Sequence, residues 1–265
     1  MNILRVSPVI GFICIFLGNY FFNDIIGKCL LIIGIIILIA SYIYLTRKFL
    51  LDRKKYPELF NIIQDLMKSY SLDRVKVLIW PFGFNAFAIS FYGDTLIVTK
   101  ELLEEMNYNE MKAIIAHEFS HLYHRDSVLV LALVLIFLAP FLFVITFFIP
   151  KNQIISLPSA IAFFISLFIL IYGFKIINWI KIDQELGSDR EAVLHVNSYK
   201  DLQNALFKMY NYIDRKKRRP TRVGAIFTGF DYISEYFFGT THPRLKERIE
   251  HIEFAGKIRA SMESQ

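Results

Sequence analysis

Long uninterrupted apolar runs alternate along this chain with stretches in which polar and apolar positions are mixed. Four runs approach or exceed the length needed to cross a bilayer: about Val6–Phe22, Cys29–Thr46, Ser127–Ile149 and Ile154–Phe174. None contains an Asp, Glu, Lys or Arg. The first is the weakest helix, because Ser7, Pro8 and two glycines lower its propensity. It reads as a span rather than a signal peptide, since Phe, Tyr and Asn19 stand where small cleavage-site residues belong. Pro140 predicts a kink in the third run. Asn23–Lys28 closes a first tight hairpin, and Pro150 with Lys151, Asn152 and Gln153 closes a second.

The mixed stretches predict an α+β domain with a small sheet. A helix is expected over Pro57–Tyr70 and a strand over Val75–Trp80. Ala86–Phe91 and Thr95–Thr99 read as a hairpin around Tyr92-Gly93-Asp94. Helices follow at Lys100–Met106 and Tyr108–Tyr123, the second opened by Asn107 and Glu110 in capping-box spacing. The tail predicts helices near Asn178–His195, Tyr199–Lys216, Asp231–Phe238 and Pro243–Ile258. The expected class is a mainly α membrane protein with four transmembrane helices carrying this α+β domain. Residues 1–46 form a first transmembrane hairpin, 47–126 a first soluble piece, 127–174 a second hairpin and 175–265 a second soluble piece.

Charge then assigns a side. Hairpins return the chain to its starting face, so both soluble pieces share that face. It carries Arg5, Arg47, Lys48, Arg53, Lys54, Lys55, Arg125, Lys175 and Lys181, against Lys28 and Lys151 opposite. An excess of basic residues marks the cytoplasmic face, so a multi-pass protein of the cell (inner) membrane with cytoplasmic termini is expected. The net charge of +6 is read as this topology signal and as contact with the lipid bilayer; no nucleic-acid motif accompanies it. Arg215-Lys216-Lys217-Arg218-Arg219 reads as a solvated loop able to touch anionic lipid. Disorder is excluded by 26 Phe and 14 Tyr. The two cysteines, Cys14 and Cys29, lie in apolar runs without a CxxC, which removes thiolate zinc ligation.

Ala116-His117-Glu118-Phe119-Ser120-His121 carries the chemistry. At 3.6 residues per turn, His117 and His121 share a helix face and can meet one Zn²⁺, with Glu118 beside them to take a proton from water. A third protein ligand is needed. A metzincin would require Gly at 124 and His at 127, where this chain has His124 and Ser127. His124 lies too near on the same helix to complete a tetrahedral site, so a supporting or interfacial role suits it better. Glu185 and Asp189, one helical turn apart, fit a ligand and a carboxylate that orients a ligand histidine.

These motifs, with His124-Arg125-Asp126, a membrane hairpin and then Glu185-x-x-x-Asp189, resemble the HtpX-type membrane zinc metallopeptidases, gluzincins related to the CAAX prenyl endopeptidases. Asn85-Ala86-Phe87-Ala88 resembles the family's segment upstream of the zinc helix, and Thr241-His242-Pro243 with Arg248 its C-terminal motif. The match runs from about Pro57 to Glu253; Gly187-Ser188 departs from it where Ala commonly precedes the Asp. The resemblance implies a zincin-like fold, one Zn²⁺ per chain on His117, His121 and Glu185, and Glu118 as general base. Asp189 would orient a ligand, His242 or Arg248 would assist catalysis, and Asn85–Ala88 would receive substrate as an added strand. His242 is expected at the oxyanion, and Arg248 is expected to anchor the tail through Asp189 or another buried carboxylate. Polypeptide substrates, membrane proteins among them, and membrane-protein quality control follow from the resemblance alone. A CAAX-type prenyl-protein endopeptidase and a catalytically idle zinc scaffold are the alternatives. An intramembrane protease is disfavoured, because Glu110, Lys112, Arg125 and Asp126 flank the motif.

Overall fold

The computed structural model describes residues 25–90, 93–148, 157–217 and 243–264. The chain divides into two units, Met1–Asp52 and Arg53–Gln265. In the first, α1 (Ile25–Lys48) is a 24-residue apolar helix over the second expected span. The first expected span and the helix expected at Asp231–Phe238 lie outside the described residues.

The second unit begins with α2 (Pro57–Ser69). Pro57 stands in its first turn, where a missing N–H costs nothing, and Leu59, Ile62, Ile63 and Leu66 form its buried stripe. Three short strands follow: β1 (Lys76–Trp80), β2 (Ala86–Ile89) and β3 (Thr95–Thr99). Their order is β1-β3-β2. The expected hairpin forms, with Ala86 opposite Val98 and Ile89 opposite Thr95, and Gly93 supplies a positive φ in its turn. β1 joins β3 in parallel, Lys76 opposite Thr95, which leaves β2 as an edge.

The helices are α3 (Lys100–Glu105), α4 (Tyr108–His124), α5 (Asp126–Phe148), α6 (Leu157–Leu194), α7 (Tyr199–Lys217) and α8 (Leu245–Glu263). The expected capping box starts α4: Asn107 accepts from the Glu110 N–H at 2.9 Å, and Glu110 accepts from the Asn107 N–H at 3.0 Å. α4 lies at the centre of the unit, against α2, β2, α6 and α7. Ala113, Ile115, Ala116, Phe119 and Ser120 are completely buried on it.

α5 and α6 pack as an antiparallel pair. A β-carbon on Gly173 would collide with the Phe137 ring, so the missing side chain is what lets the two helices close here. Among the described residues, these two helices are long and apolar enough to cross a membrane. Their large side chains face outward, Leu135, Ile136, Phe164 and Phe168 each being more than half exposed, unlike the core helix of a water-soluble domain. The expected break between the fourth span and a separate tail helix at Asn178 does not occur. α6 runs for 38 residues without interruption. Lys175-Ile176-Ile177-Asn178 contains no Gly or Pro to stop it, and the Lys175 ammonium folds back over the Tyr172 ring.

Candidate active site

The last two turns of α4 and the polar end of α6 meet face to face. His117 and His121 bring their Nε2 atoms to 3.1 Å of one another. Glu185 of α6 closes the triangle, 3.5 Å from His117 Nε2 and 3.7 Å from His121 Nε2. Two imidazoles and a carboxylate are a donor set that zinc favours. Ligand atoms at about 2.0–2.1 Å from a tetrahedral zinc stand about 3.3–3.4 Å apart, so the triangle has the right size. Glu118, next to His117, is nearly buried.

Each histidine is braced from behind. His117 Nδ1 lies 2.9 Å from Asp189 Oδ1, within ion-pair distance. Asp189 is fully buried and receives two hydrogen bonds from Arg248 of α8, at 2.7 and 2.6 Å. A further Arg248 nitrogen reaches Glu185 at 3.2 Å. His121 Nδ1 lies 2.7 Å from Asp126 Oδ2 and 3.2 Å from Ser188 Oγ. Gln184 donates to the other Asp126 oxygen at 3.0 Å. Arg125, in the left-handed region at φ 55°, turns the chain so that the first residue of α5 points back at α4.

These contacts set the protonation of the site. Burial alone would lower His117, but contacts with Asp189 and Glu185 carry it up to about 10. A metal ion there competes with a proton. Burial raises Glu118 above the usual carboxylate range, opposed by His117 and His121. Burial would raise Asp189 as well, but Arg248 and His117 hold it below the usual range. Arg248 is pushed up despite its burial by Asp189 and Glu185.

Residues 53–255 match the profile of peptidase family M48. The chain belongs to this family. Among M48 peptidases, Protease HtpX homolog 1 of Streptomyces coelicolor is 26% identical over 218 residues, 76% of this chain and 71% of that protein. Protease HtpX homolog of Picrophilus torridus is 28% identical over 208 residues, 75% of this chain and 66% of that protein. The crystal structure of S. mikatae Ste24p aligns with a TM-score of 0.41 at 15% identity, over 94% of this chain and 62% of that one. The HtpX resemblance drawn from the motifs is thus borne out, and the chain is HtpX-like within M48.

Of the residues singled out in the M48 chain from sequence, His117, Glu118, His121, Glu185, Asp189 and Arg248 come together. His242 lies outside the described residues. His124 is turned away from the cluster and pairs with Glu191 at 2.6 Å, half exposed. Asn85 immediately precedes β2 and Ala86–Ala88 lie in it: the Asn85 N–H donates to Thr99 Oγ1 at 2.9 Å, and Asn85 Oδ1 accepts from the Ala86 N–H at 3.0 Å. Sequence reasoning missed Asp126 as the brace of His121, and Gln184 and Ser188 with it. The signal available was an acid five residues past His121, unreadable without the turn at Arg125.

Proposed function

We propose that this chain is a zinc-dependent endopeptidase working at the cytoplasmic surface of the cell membrane, on membrane proteins among its substrates and in their quality control. The observation that carries the reading is the triangle of His117, His121 and Glu185 with Glu118 beside it. α5 and α6 would be membrane spans, and the basic side of the topology would hold the site. When bound, zinc would polarise the scissile carbonyl and make the attacking water more acidic. Glu118 takes the water's proton and then gives it to the leaving amine. Asp189 and Asp126 fix the tautomer and direction of the two imidazoles, so that each turns Nε2 toward Glu185. Arg248 neutralises the buried Asp189 and keeps Glu185 from swinging away. β2 offers an open strand edge to an extended peptide.

Glu118→Gln is the test. It should retain zinc near one per chain while casein hydrolysis falls by about 10²–10⁴, the usual size of general-base catalysis. Chelation of the wild type should abolish hydrolysis, and added zinc should restore it. Full proteolysis by the purified variant would defeat the mechanism.

A further inference from the structure

The two ends of β2 are held by different parts of the molecule, and this gives the site a direction. At its start, Asn85 is tied to Thr99, the residue that leads into α3. At its finish, the Ser90 N–H donates to Ser127 Oγ at 2.7 Å, in the first turn of α5. The outward apolar surface of α5 begins immediately beyond, at Val128 and Leu129, 37% and 47% exposed. On the partner helix α6, Trp179 is 71% exposed between Lys175 and Lys181, the aromatic and basic pattern of a bilayer surface. The Ser90 end of β2 is therefore the end at the membrane.

The free edge of β2 is chemically ready. Thr99 N–H bonds the Asn85 carbonyl, so alternation along an antiparallel pair turns the backbone groups of Ala86, Ala88 and Ser90 away from β3. The Ala86 and Ser90 N–H groups take side-chain partners. Ala88 stands between them, placed to receive an incoming strand. Antiparallel pairing is the more stable and more frequent arrangement. A peptide lying antiparallel on β2 has its N-terminal side at Ser90 and α5, and its C-terminal side at Asn85 and α3.

The geometry points to a substrate polarity: membrane-anchored polypeptides whose anchor lies on the N-terminal side of the scissile bond. This rests on the peptidase and membrane-span reading above. A substrate anchored on its C-terminal side would have to carry its connector back along β2, an extra reach of about 13 Å or roughly four extended residues.

The experiment uses the full-length enzyme in nanodiscs with two mirror-image substrates. Each has the same cleavable peptide and the same apolar helix, joined by a spacer of about four Gly/Ser residues. The N-anchored substrate should be cut at least about tenfold faster, because only its tether keeps the peptide concentrated at the site. With a spacer of about twenty residues the two rates should converge. Equal rates at the short spacer, or faster cutting of the C-anchored substrate, would overturn the polarity. A second readout needs no turnover. In the Glu118→Gln enzyme, a photo-cross-linker on the N-terminal side of the peptide should label Ile89 and Val128, and one on the C-terminal side should label Phe84 and Asn85; the reversed pattern would also overturn it. Hydrolysis of the anchor-free peptide reports on the peptidase reading separately, since polarity does not affect it.

Discussion

His117 and His121 face the same carboxylate, Glu185, from different surroundings. Behind His117 stands a carboxylate with no exposed surface, locked by a guanidinium from α8. Behind His121 stands Asp126, 14% exposed and steadied by the neutral Gln184, with Ser188 Oγ also beside His121 Nδ1. The first brace is electrostatic and part of the folded core. The second is a lighter hydrogen-bonded arrangement at the root of the α5–α6 pair. One histidine is thus positioned by the tail of the chain, and the other by the two apolar helices. Removing either brace should disturb the metal site, but only the first should disturb the fold.

The contrast is broken most severely by Asp189→Ala, which takes both Asp189 hydrogen bonds from the buried Arg248 and leaves it the contact with Glu185. Losing one partner of a buried pair costs about 3–5 kcal/mol, so a large drop in melting temperature or loss of folded protein is expected. Adding Arg248→Met should recover part of it; an unchanged melting curve in the single variant would show that the brace is not structural. Next comes Glu185→Ala, which removes the group that faces both histidines. Zinc content should fall to background, whereas His124→Ala, outside both braces, should keep it; metal analysis giving the opposite result would exchange the third ligand. Asp126→Ala is milder. Zinc affinity, measured by chelator competition, should weaken about 10–100-fold with the melting temperature of the metal-free protein little changed. Unaltered affinity would leave His121 held by Ser188 alone.

The smallest effect lies at His195, remote from both braces. It stacks on Tyr70 and pairs with Ser69 Oγ at 2.6 Å. Burial lowers its pKa below the ordinary 6.5, aided by Arg259 and Lys112 and opposed by Glu191. The neutral ring is the form that fits, so its contribution is present above about pH 6.5 and lost as pH falls. Wild-type melting temperature should drop slightly more between pH 7 and 5 than that of His195→Gln. Identical slopes would remove His195 from the acid response.

What the sequence disclosed follows from range. The HExxH residues and the capping box of α4 are local patterns, legible because helix geometry fixes neighbours three and four residues apart. Glu185 and Asp189 were readable as a pair for the same reason, although their distance from His117 rests on tertiary packing. Asp126 escaped because a left-handed Arg125 reverses the chain, and Arg carries no strong signal for that conformation. The parallel partnership of β1 and β3 is a long-range pairing without a local marker. The continuity of α6 is not legible because a change from apolar to mixed residues looks like a helix end, whereas the backbone runs on through it.

That unbroken helix has a consequence for how the enzyme comes into being. A nascent chain translated as far as Arg125 already carries His117, Glu118 and His121. Glu185 is encoded some sixty residues later, on the same rod as the second long apolar segment. Glu185 can reach α4 only after α5 and α6 have come together, which for membrane spans means after insertion. Until that pair closes, the chain holds His117 and His121 without the carboxylate of Glu185 between them.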